Sequence, residues 1–348
     1  MRNKNYYCII MAGGMGRRFW PYSRKNLPKQ FLDFFGCGKT LLQQTFERYK
    51  NIVSPENIYI TTNRDYKELV QEQIPEIADS QLLIEEERRN TAPSLAYASH
   101  LIYGINPDAT IVVTPSDHLI LKQDEFEKSI LEGLDFASTS GKLVNIGIKP
   151  TRPETNYGYI QIEDDGRDDN FHKVKTFIEK PALEFAEVFM QSNEFFWNSG
   201  IFIWHIQTIL RAFHENMMDV CPKVECESPD FSSCPNISID SSIMEKADNV
   251  FLQICHFGWA DLGSWESLYD ALPKDKEKNV IINSDTVLYN SEDNIILMPK
   301  DKLAVIDGLK GYLVAEHDNV LLICKKDDQI AIRKYVNDVE MKFGKKFV

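Results

Sequence analysis

The chain has 348 residues, of which 43% are hydrophobic and 26% are charged, so it is long enough for one large domain and a second, small one. Its 52 acidic residues outnumber 39 basic ones, and the net charge of -13 argues against general nucleic-acid binding, which requires a broad basic face. No apolar stretch reaches the roughly 18 residues of a membrane span, so we expect no membrane partner.

The seven cysteines are an odd number and are scattered along the chain. Only Cys221, Cys226 and Cys234 form a cluster, and because their spacing matches no zinc module, we interpret them as free thiols. The apolar run near the N-terminus ends at Gly13 and is interpreted as a first strand rather than as a signal peptide. These features predict a protein of the reducing cytoplasm.

The first half of the sequence alternates between predicted strands and predicted helices. The strands are short apolar or β-branched runs at 6–11, 57–62, 81–84, 109–114 and 143–148. The helices are expected at 41–50, 65–73, 91–103 and 124–138, with Thr40 and Thr91 as N-caps of the first and third. This alternation predicts a doubly wound α/β sheet, and ligands of such sheets bind at the carboxyl ends of the strands.

The second half mixes both kinds of element. Strands are predicted at 157–162, 171–178 and 196–204, with a helix at 183–191. A charged segment with a proline, 272–279, is interpreted as a linker. Short strands then recur at 280–282, 286–289, 294–298, 303–306, 312–315 and 320–324, before a helix at 329–340. We therefore expect a large domain over residues 1–272 and a small β domain over residues 280–348.

The most informative segment runs from Ala12 to Phe31 and reads AGGMGRRFWPYSRKNLPKQF. It follows the first predicted strand, and its glycines allow backbone N–H groups to approach an anion closely. The segment is not a dinucleotide fingerprint, because Phe19 occupies the position of the third glycine. The residues up to Thr40 are not a Walker A loop either, because Asp33 occupies the position of that motif's first glycine. A cationic, glycine-rich loop in an acidic protein nevertheless points to a polyphosphate ligand.

This segment fits the pattern G-G-x-G-x-R-[LF]-W-P followed by P-K, and so resembles the signature of the sugar-1-phosphate nucleotidylyltransferases. In that family the loop wraps a nucleoside triphosphate, and the resemblance implies catalytic roles for Arg18 and Lys29. It implies a mixed sheet of the Rossmann-like nucleotidyltransferase type, with a tail folded as a short left-handed β-helix. It also implies nucleotide contacts from Ala12, Gly13, Gly14, Gly16 and Ser116.

Two aspartates are candidate ligands for Mg²⁺, which in this chemistry would join carboxylates to phosphate oxygens. Asp117 lies in VVTPSDH, which resembles the family's L-P-S-D-H, and Asp261 lies in WADLGSW, which resembles W-x-D-V-G-S-W. Either aspartate alone is as easily explained as a helix cap. Together with the glycine-rich loop, they indicate a metal site.

Three further motifs resemble the family's sugar-phosphate site. FIEKP resembles F-[VI]-E-K-P and assigns Glu179 to sugar hydroxyls and Lys180 to the sugar phosphate. WNSG supplies Asn198, and PETNYGYI supplies Gly158, with Asn156 in place of the usual glycine. We expect the turn at Asn156 to survive, because asparagine tolerates left-handed backbone better than other residues with a Cβ.

The stretch RNTAP resembles the mannose-1-phosphate guanylyltransferase branch of the family, with Glu86 in place of the usual proline and Arg88 in place of the usual glycine. It implies GTP and mannose-1-phosphate as substrates, GDP-mannose and pyrophosphate as products, and base contacts in the segment 85–91. The residues that it assigns to the nucleotide are Glu85, Asn90 and Thr91.

The resemblance extends from Cys8 to about Tyr335, so we expect no further isomerase domain, and we expect a homodimer. Two alternatives stay open. The first is a nucleotidylyltransferase for another hexose-1-phosphate, against which RNTAP argues. The second is a catalytically silent regulatory subunit of the same fold, which would have lost one of the charged residues expected at the active site, namely Arg18, Lys29, Asp117 and Asp261.

Overall fold

A computed structural model of the chain describes residues 2–15, 17–163, 170–218 and 229–348. Its large domain contains strands β1 to β11 and helices α1 to α7. The strands are Tyr6–Met11, Ile58–Asn63, Leu82–Glu85, Thr110–Pro115, His118–Ile120, Leu143–Ile148, Tyr159–Ile162, Phe171–Ile178, Phe195–His205, Val250–Cys255 and Trp259–Asp261. The helices are Leu41–Lys50, Lys67–Gln73, Thr91–Ile105, Gln123–Ser140, Leu183–Gln191, Ile206–Asn216 and Trp265–Ala271.

A nine-stranded sheet in the order β3-β2-β1-β4-β9-β6-β10-β8-β7 forms the centre of this domain. Strand β1 lies parallel to β2 and β4, while β9 runs antiparallel to β4 and β6, so the sheet is mixed. Its apolar side chains alternate between two cores, since Cys8 and Ile10 pack on one face of the sheet and Tyr7 and Ile9 on the other. The mixed α/β architecture is therefore confirmed.

The predicted elements all occur, and they end within three residues of the expected bounds. Thr40 caps α1 through a capping box, as predicted. The N-cap of α3 is Asn90, however, and not Thr91, because the carboxamide of Asn90 accepts the N–H of Thr91. Asn156 has no positive φ, and its turn is instead stabilised by Glu154, whose carboxylate accepts from the backbone N–H of Asn156 at 2.8 Å.

The C-terminal β unit contains strands β12 to β17, followed by helix α8, Gln329–Phe343. The strands are Val280–Ile282, Asp285–Tyr289, Ile295–Leu297, Leu303–Asp307, Tyr312–His317 and Val320–Lys325. Strands β12, β14 and β16 pair in parallel, as do β13 and β15, so the backbone passes the same two sheets repeatedly. The left-handed sense of this coil stays a prediction, as do the two domain boundaries.

The signature loop and the C-terminal unit share one hydrophobic core. Phe19 and Trp20 pack in the same cluster as Trp265, Ile295 and Ile332. The indole N–H of Trp20 also donates to the backbone carbonyl of Phe347 at 2.8 Å. The first and last parts of the chain therefore support each other directly.

Two expectations from composition are tested by the described part of the chain. Cys8, Cys37, Cys234, Cys255 and Cys324 are free thiols, whereas Cys221 and Cys226 of the predicted cluster lie outside the described residues. Within the described ranges, the structure contains no helix that is both long enough and apolar enough to cross a membrane.

Candidate active site

The glycine-rich loop leaves the carboxyl end of β1 and is shaped by backbone hydrogen bonds. The N–H of Ala12 donates to the carbonyl of Thr61 at 2.8 Å, and the side chain of Gln30 donates to the carbonyls of Ala12 and Gly14 at 2.9 and 2.7 Å. A Cβ placed on Gly13 or Gly14 would meet no protein atom within 4 Å. The space beside these residues is therefore open to a ligand. Gly16 lies outside the described residues.

A cavity of about 1140 Å³ adjoins this loop. Arg18 and Lys29 line it, together with Tyr66, Asp261 and Gly263. Further cationic side chains come from the loop and from the C-terminal end of the structure, namely Arg24, Lys25, Arg333, Lys345 and Lys346. So many cations around one cavity in an acidic protein suit a polyanionic ligand.

Lys29 and the two predicted ligand aspartates form one cluster. The ammonium of Lys29 lies 2.9 Å from Oδ2 of Asp117 and 3.8 Å from Oδ1 of Asp261. Burial alone would raise the pKa of Asp117, but the charge and the hydrogen bond of the Lys29 ammonium lower it below its ordinary value. Burial alone would lower the pKa of Lys29, but Asp117 and Asp261 raise it above its ordinary value. Lys29 and Asp117 are consequently both charged at neutral pH.

A short two-stranded sheet brings the aspartates together. Strand β5 follows Asp117, strand β11 ends at Asp261, and the antiparallel register of the two sets Asp261 opposite His118. The Trp259 indole donates to Nδ1 of His118 at 3.2 Å, and burial lowers the pKa of His118, so its ring is neutral at pH 7. Asp117, His118 and Asp261 each place a ligand atom within 4.8 Å of the others. The hard carboxylate oxygens of this group fit a divalent cation such as Mg²⁺.

Gly263 determines where the carboxylate of Asp261 lies. A Cβ on Gly263 would come within 2.8 Å of Oδ2 of Asp261, so an alanine there would displace that group. On the other side, the hydroxyl of Tyr157 donates to the backbone carbonyl of Asp261 at 3.3 Å. The orientation of this aspartate thus depends on two residues outside its own strand.

The predicted sugar residues also converge. A Cβ on Gly158 would lie 3.5 Å from Oε2 of Glu179 and 3.6 Å from Cβ of Asn198. Lys180 forms an ion pair with Glu179, and both side chains are exposed. Because Gly158 has no side chain to fill the space between these polar groups, a sugar ring could lie there and form hydrogen bonds with them.

Asp240 is a polar residue of this cluster that the sequence analysis missed. It lies in a single π-helical turn, Asp240–Met244, and its Oδ1 accepts from Nδ2 of Asn198 at 2.7 Å. The Oδ1 of Asn198 accepts from Asn145 and from the backbone N–H of Gly200, at 3.0 and 2.9 Å. The amide of Asn198 is therefore held in one orientation.

The predicted base segment is braced by the chain that leads to Asp240. The hydroxyl of Thr91 accepts from the backbone N–H of Ile239 at 2.8 Å, and the side chain of Asn90 caps α3. Burial raises the pKa of the Glu85 carboxyl. Ser116 is buried, and its carbonyl accepts from the hydroxyl of Thr45 at 3.1 Å. The structure thus gives Asn90, Thr91 and Ser116 internal roles, and their predicted contacts to a nucleotide stay predictions.

The signals for the missed residues differ in kind. Gln30, which donates to the carbonyls of Ala12 and Gly14, lies beside Lys29 in the signature segment, and this adjacency is a signal in the sequence. Asp240, Arg333 and Lys345 reach the sites through the tertiary fold, and no local pattern marks them.

Comparisons with known proteins identify relatives of this chain. Residues 7–278 match the Nucleotidyl transferase family. A mannose-1-phosphate guanylyltransferase of Salmonella muenchen is 34% identical, and the alignment covers 94% of this chain and 72% of that protein. The alginate biosynthesis protein AlgA of Pseudomonas aeruginosa is 31% identical over 95% of this chain and 72% of its own length.

The fold is also similar to solved structures. The crystal structure of mannose-1-phosphate geranyltransferase from Thermus thermophilus superposes with a TM-score of 0.88 and 28% identity, covering 97% of this chain and 99% of that one. A putative glucose-1-phosphate thymidylyltransferase from Bacillus anthracis, 16% identical, superposes with a TM-score of 0.52 and covers 76% of this chain and 93% of its own. That second likeness supports the fold alone.

Proposed function

The chain belongs to the nucleotidyl transferase family, and we propose that it transfers GMP from GTP to mannose-1-phosphate, with GDP-mannose and pyrophosphate as the products. The observation that carries this proposal is the cluster of Lys29, Asp117 and Asp261 beside a glycine-rich loop and a cationic cavity. Relatives of 31–34% identity over nearly the whole chain bear the same activity in their names.

The chemistry needs few groups. An anionic phosphate oxygen of mannose-1-phosphate attacks the α-phosphorus of GTP, the new P–O bond forms, and the bond to the β-phosphate oxygen breaks in line with it. Because the nucleophile is already an anion, no strong base is required, and alignment and charge neutralisation do most of the work. We assign Arg18 and Lys29 to the phosphates as catalytic cations, and Ala12, Gly13, Gly14 and Gly16 to the loop that wraps them.

Asp117 and Asp261 are the residues that would hold Mg²⁺. Both offer carboxylate oxygens, and they face each other across the ammonium of Lys29. Bound there, the metal supplies positive charge to the phosphates. The single charge of Lys29 offsets only one of the two carboxylate charges, which leaves a net negative charge that suits a cation.

The sugar-phosphate site consists of Gly158, Glu179, Lys180 and Asn198. Glu179 accepts from sugar hydroxyls, Asn198 presents an amide oriented by Asp240, and Lys180 binds the phosphate. Mannose and glucose differ only in whether the 2-hydroxyl is axial or equatorial. One misdirected hydroxyl gives modest discrimination, so some turnover of glucose-1-phosphate is expected.

The base preference arises in the segment 85–91. Glu85 accepts from N1–H and N2–H of guanine, while Asn90 and Thr91 shape the segment. With ATP the half-buried carboxylate of Glu85 loses the donors N1–H and N2–H, which costs roughly 1–3 kcal/mol, or about 5- to 150-fold in kcat/KM.

We further propose that the large domain spans residues 1–272, and that residues 280–348 form a short left-handed β-helix. A homodimer would use the exposed apolar side chains of this unit, namely Leu303, Val305, Leu321 and Ile323. The buried free thiols Cys8 and Cys255 are compatible with a reducing cytoplasm, where we place the reaction.

One assay tests the proposal. Pyrophosphate release is measured with GTP, ATP, UTP and dTTP, each against mannose-1-phosphate and glucose-1-phosphate, with and without Mg²⁺. The highest kcat/KM is expected for GTP with mannose-1-phosphate and Mg²⁺. Preference for another pair would contradict the assigned substrates and support only the general pyrophosphorylase reaction. No turnover with any pair would favour the silent regulatory subunit.

A further inference from the structure

Arg88 is half-buried, and two of its three guanidinium nitrogens lack hydrogen-bond acceptors in the part of the chain that the structure describes. Its Nε and Nη2 atoms are buried and make no hydrogen bond within the described ranges. The guanidinium lies over the ring of Tyr66, 5.1 Å from its centroid. A buried N–H without an acceptor is costly, so these donors call for an acceptor from a ligand.

The position of Arg88 in the fold is close to the proposed nucleotide site. It follows β3, which pairs in parallel with β2, and β2 pairs in parallel with β1, from which the glycine-rich loop leaves. Tyr66, on which the guanidinium stacks, lines the cavity together with Arg18 and Lys29. Arg88 is therefore separated from the cavity by one side chain, that of Tyr66, on which it stacks.

Arg88 and Glu85 are complementary to adjacent groups of one base. Guanine presents the acceptors O6 and N7 next to the donors N1–H and N2–H. Glu85 supplies an acceptor, and Arg88, close enough to influence that carboxylate electrostatically, supplies the donors. A planar guanidinium paired with O6 and N7 is the commonest specific contact to guanine.

Resting on the proposed function, we propose that Arg88 donates hydrogen bonds to O6 and N7 of the guanine of GTP and is a specificity-determining residue. Adenine carries an amino donor in place of O6, so Arg88 would face another donor, and pyrimidines have no N7. The family motif that this segment resembles has glycine here, so the chain has a side-chain contact where that motif has none.

The test uses the full chain and compares kcat/KM for GTP, 7-deaza-GTP and ATP, with mannose-1-phosphate held constant. 7-Deaza-GTP lacks only the N7 acceptor. The variants are Arg88→Gln and Arg88→Lys, and Arg64→Gln is the matched control, because Arg64 lies near the same segment but is exposed and paired with Glu86.

The wild type is expected to prefer GTP to 7-deaza-GTP by roughly 5- to 150-fold. Arg88→Gln should lower kcat/KM for GTP to a similar extent, mainly through KM, and should make GTP and 7-deaza-GTP equivalent. Arg88→Lys should recover only part of the loss, since lysine cannot bind in a bidentate manner. The KM of the Arg88 variants for mannose-1-phosphate should equal that of the wild type. Arg64→Gln should have the kcat/KM values of the wild type for all three nucleotides.

Two results would overturn the inference. The first is an equal kcat/KM of the wild type for GTP and 7-deaza-GTP. Because this measurement needs no variant, it tests the inference even if Arg88→Gln fails to fold. An equal loss for all three nucleotides in Arg88→Gln would mean that Arg88 acts on the triphosphate. Both results leave the proposed function standing, whereas failure of the wild type to use GTP would contradict that function itself.

Discussion

The ammonium of Lys29 forms an ion pair with the carboxylate of Asp117, its Nζ lying 2.9 Å from Oδ2. The same ammonium donates to the backbone carbonyl of Leu262, the residue after Asp261. Lys29 thus joins the signature segment to both aspartate motifs. Three motifs that are far apart in the chain meet at one side chain.

Replacing Asp117 or Asp261 with asparagine should lower kcat by about 100-fold or more, the scale expected for loss of one preorganised charged group. Removal of Mg²⁺ should abolish turnover of the wild type. Asp108→Asn is the control, because Asp108 is exposed and precedes the strand that Asp117 follows. Steady-state kinetics over a Mg²⁺ titration measure the effect, and near-normal rates at low millimolar Mg²⁺ would contradict the ligand assignment.

Arg18→Ala and Lys29→Ala should lower kcat more than they raise KM for mannose-1-phosphate. The reason is that both cations act on charge that moves toward pyrophosphate in the transition state. Arg211→Ala, on an exposed site of α6, should behave as the wild type. A loss confined to KM would identify Arg18 and Lys29 as binding residues only.

Gly263→Ala should reduce activity roughly tenfold or more and raise the Mg²⁺ concentration for half-maximal rate, because its Cβ would displace the carboxylate of Asp261. The expected change in Tm is small. Gly104→Ala is the matched control, since a Cβ at that helical glycine meets no atom within 4 Å. If both variants show the same Mg²⁺ dependence, Gly263 does not position the carboxylate.

Asp240→Ala should raise KM for mannose-1-phosphate by about 5- to 10-fold, because the amide of Asn198 loses the acceptor that orients it. KM for GTP should not change. Asp240→Asn retains an acceptor oxygen and should restore most of the affinity. Equal effects of both substitutions would show that charge, and not orientation, is what Asp240 contributes.

Glu85→Gln should stabilise the ligand-free protein at pH 7 by roughly 1–3 °C in Tm. Burial raises the pKa of Glu85 above its ordinary value of 4.5, so ionisation costs more in the folded than in the unfolded state. The advantage of the variant should be absent below pH 4.5, grow as the pH rises through the elevated pKa, and then stay constant. Thermal melts across pH 4–8 measure it, and a difference that does not vary with pH would refute this origin.

The elements of the sheet were predictable where local patterns are strong. Strand β1 is an uninterrupted apolar run ahead of glycines, and Thr40 has its glutamine partner three residues later, so both follow from sequence alone. Strands β5 and β11 have three residues each and exist because they pair with each other. Such short strands carry no periodicity, so neither was predictable from the sequence.

The residues of the candidate site also differ in how far they could be predicted from local sequence patterns. Arg18, Lys29, Asp117 and Asp261 belong to motifs. The rule that ligands bind at the carboxyl edge of the sheet predicts that the glycine-rich loop and Asp117 are near each other, whereas Asp261 was assigned from its motif alone. Asp240 reaches Asn198 from a π-helical turn, and Lys345 lines the cavity from the segment after the C-terminal helix. These contacts depend on tertiary packing, which no window of sequence contains.

The hydrogen bond between Trp20 and Phe347 spans 327 residues and has a consequence for biosynthesis. At 5–20 residues per second, a ribosome needs roughly 16 to 65 s to make the intervening chain. During that time the indole of Trp20 lacks the acceptor that Phe347 later supplies, and Phe19 can pack on neighbours such as Phe34 but not yet on Trp265. The packing of the signature loop is therefore complete only after Phe347 has been synthesised.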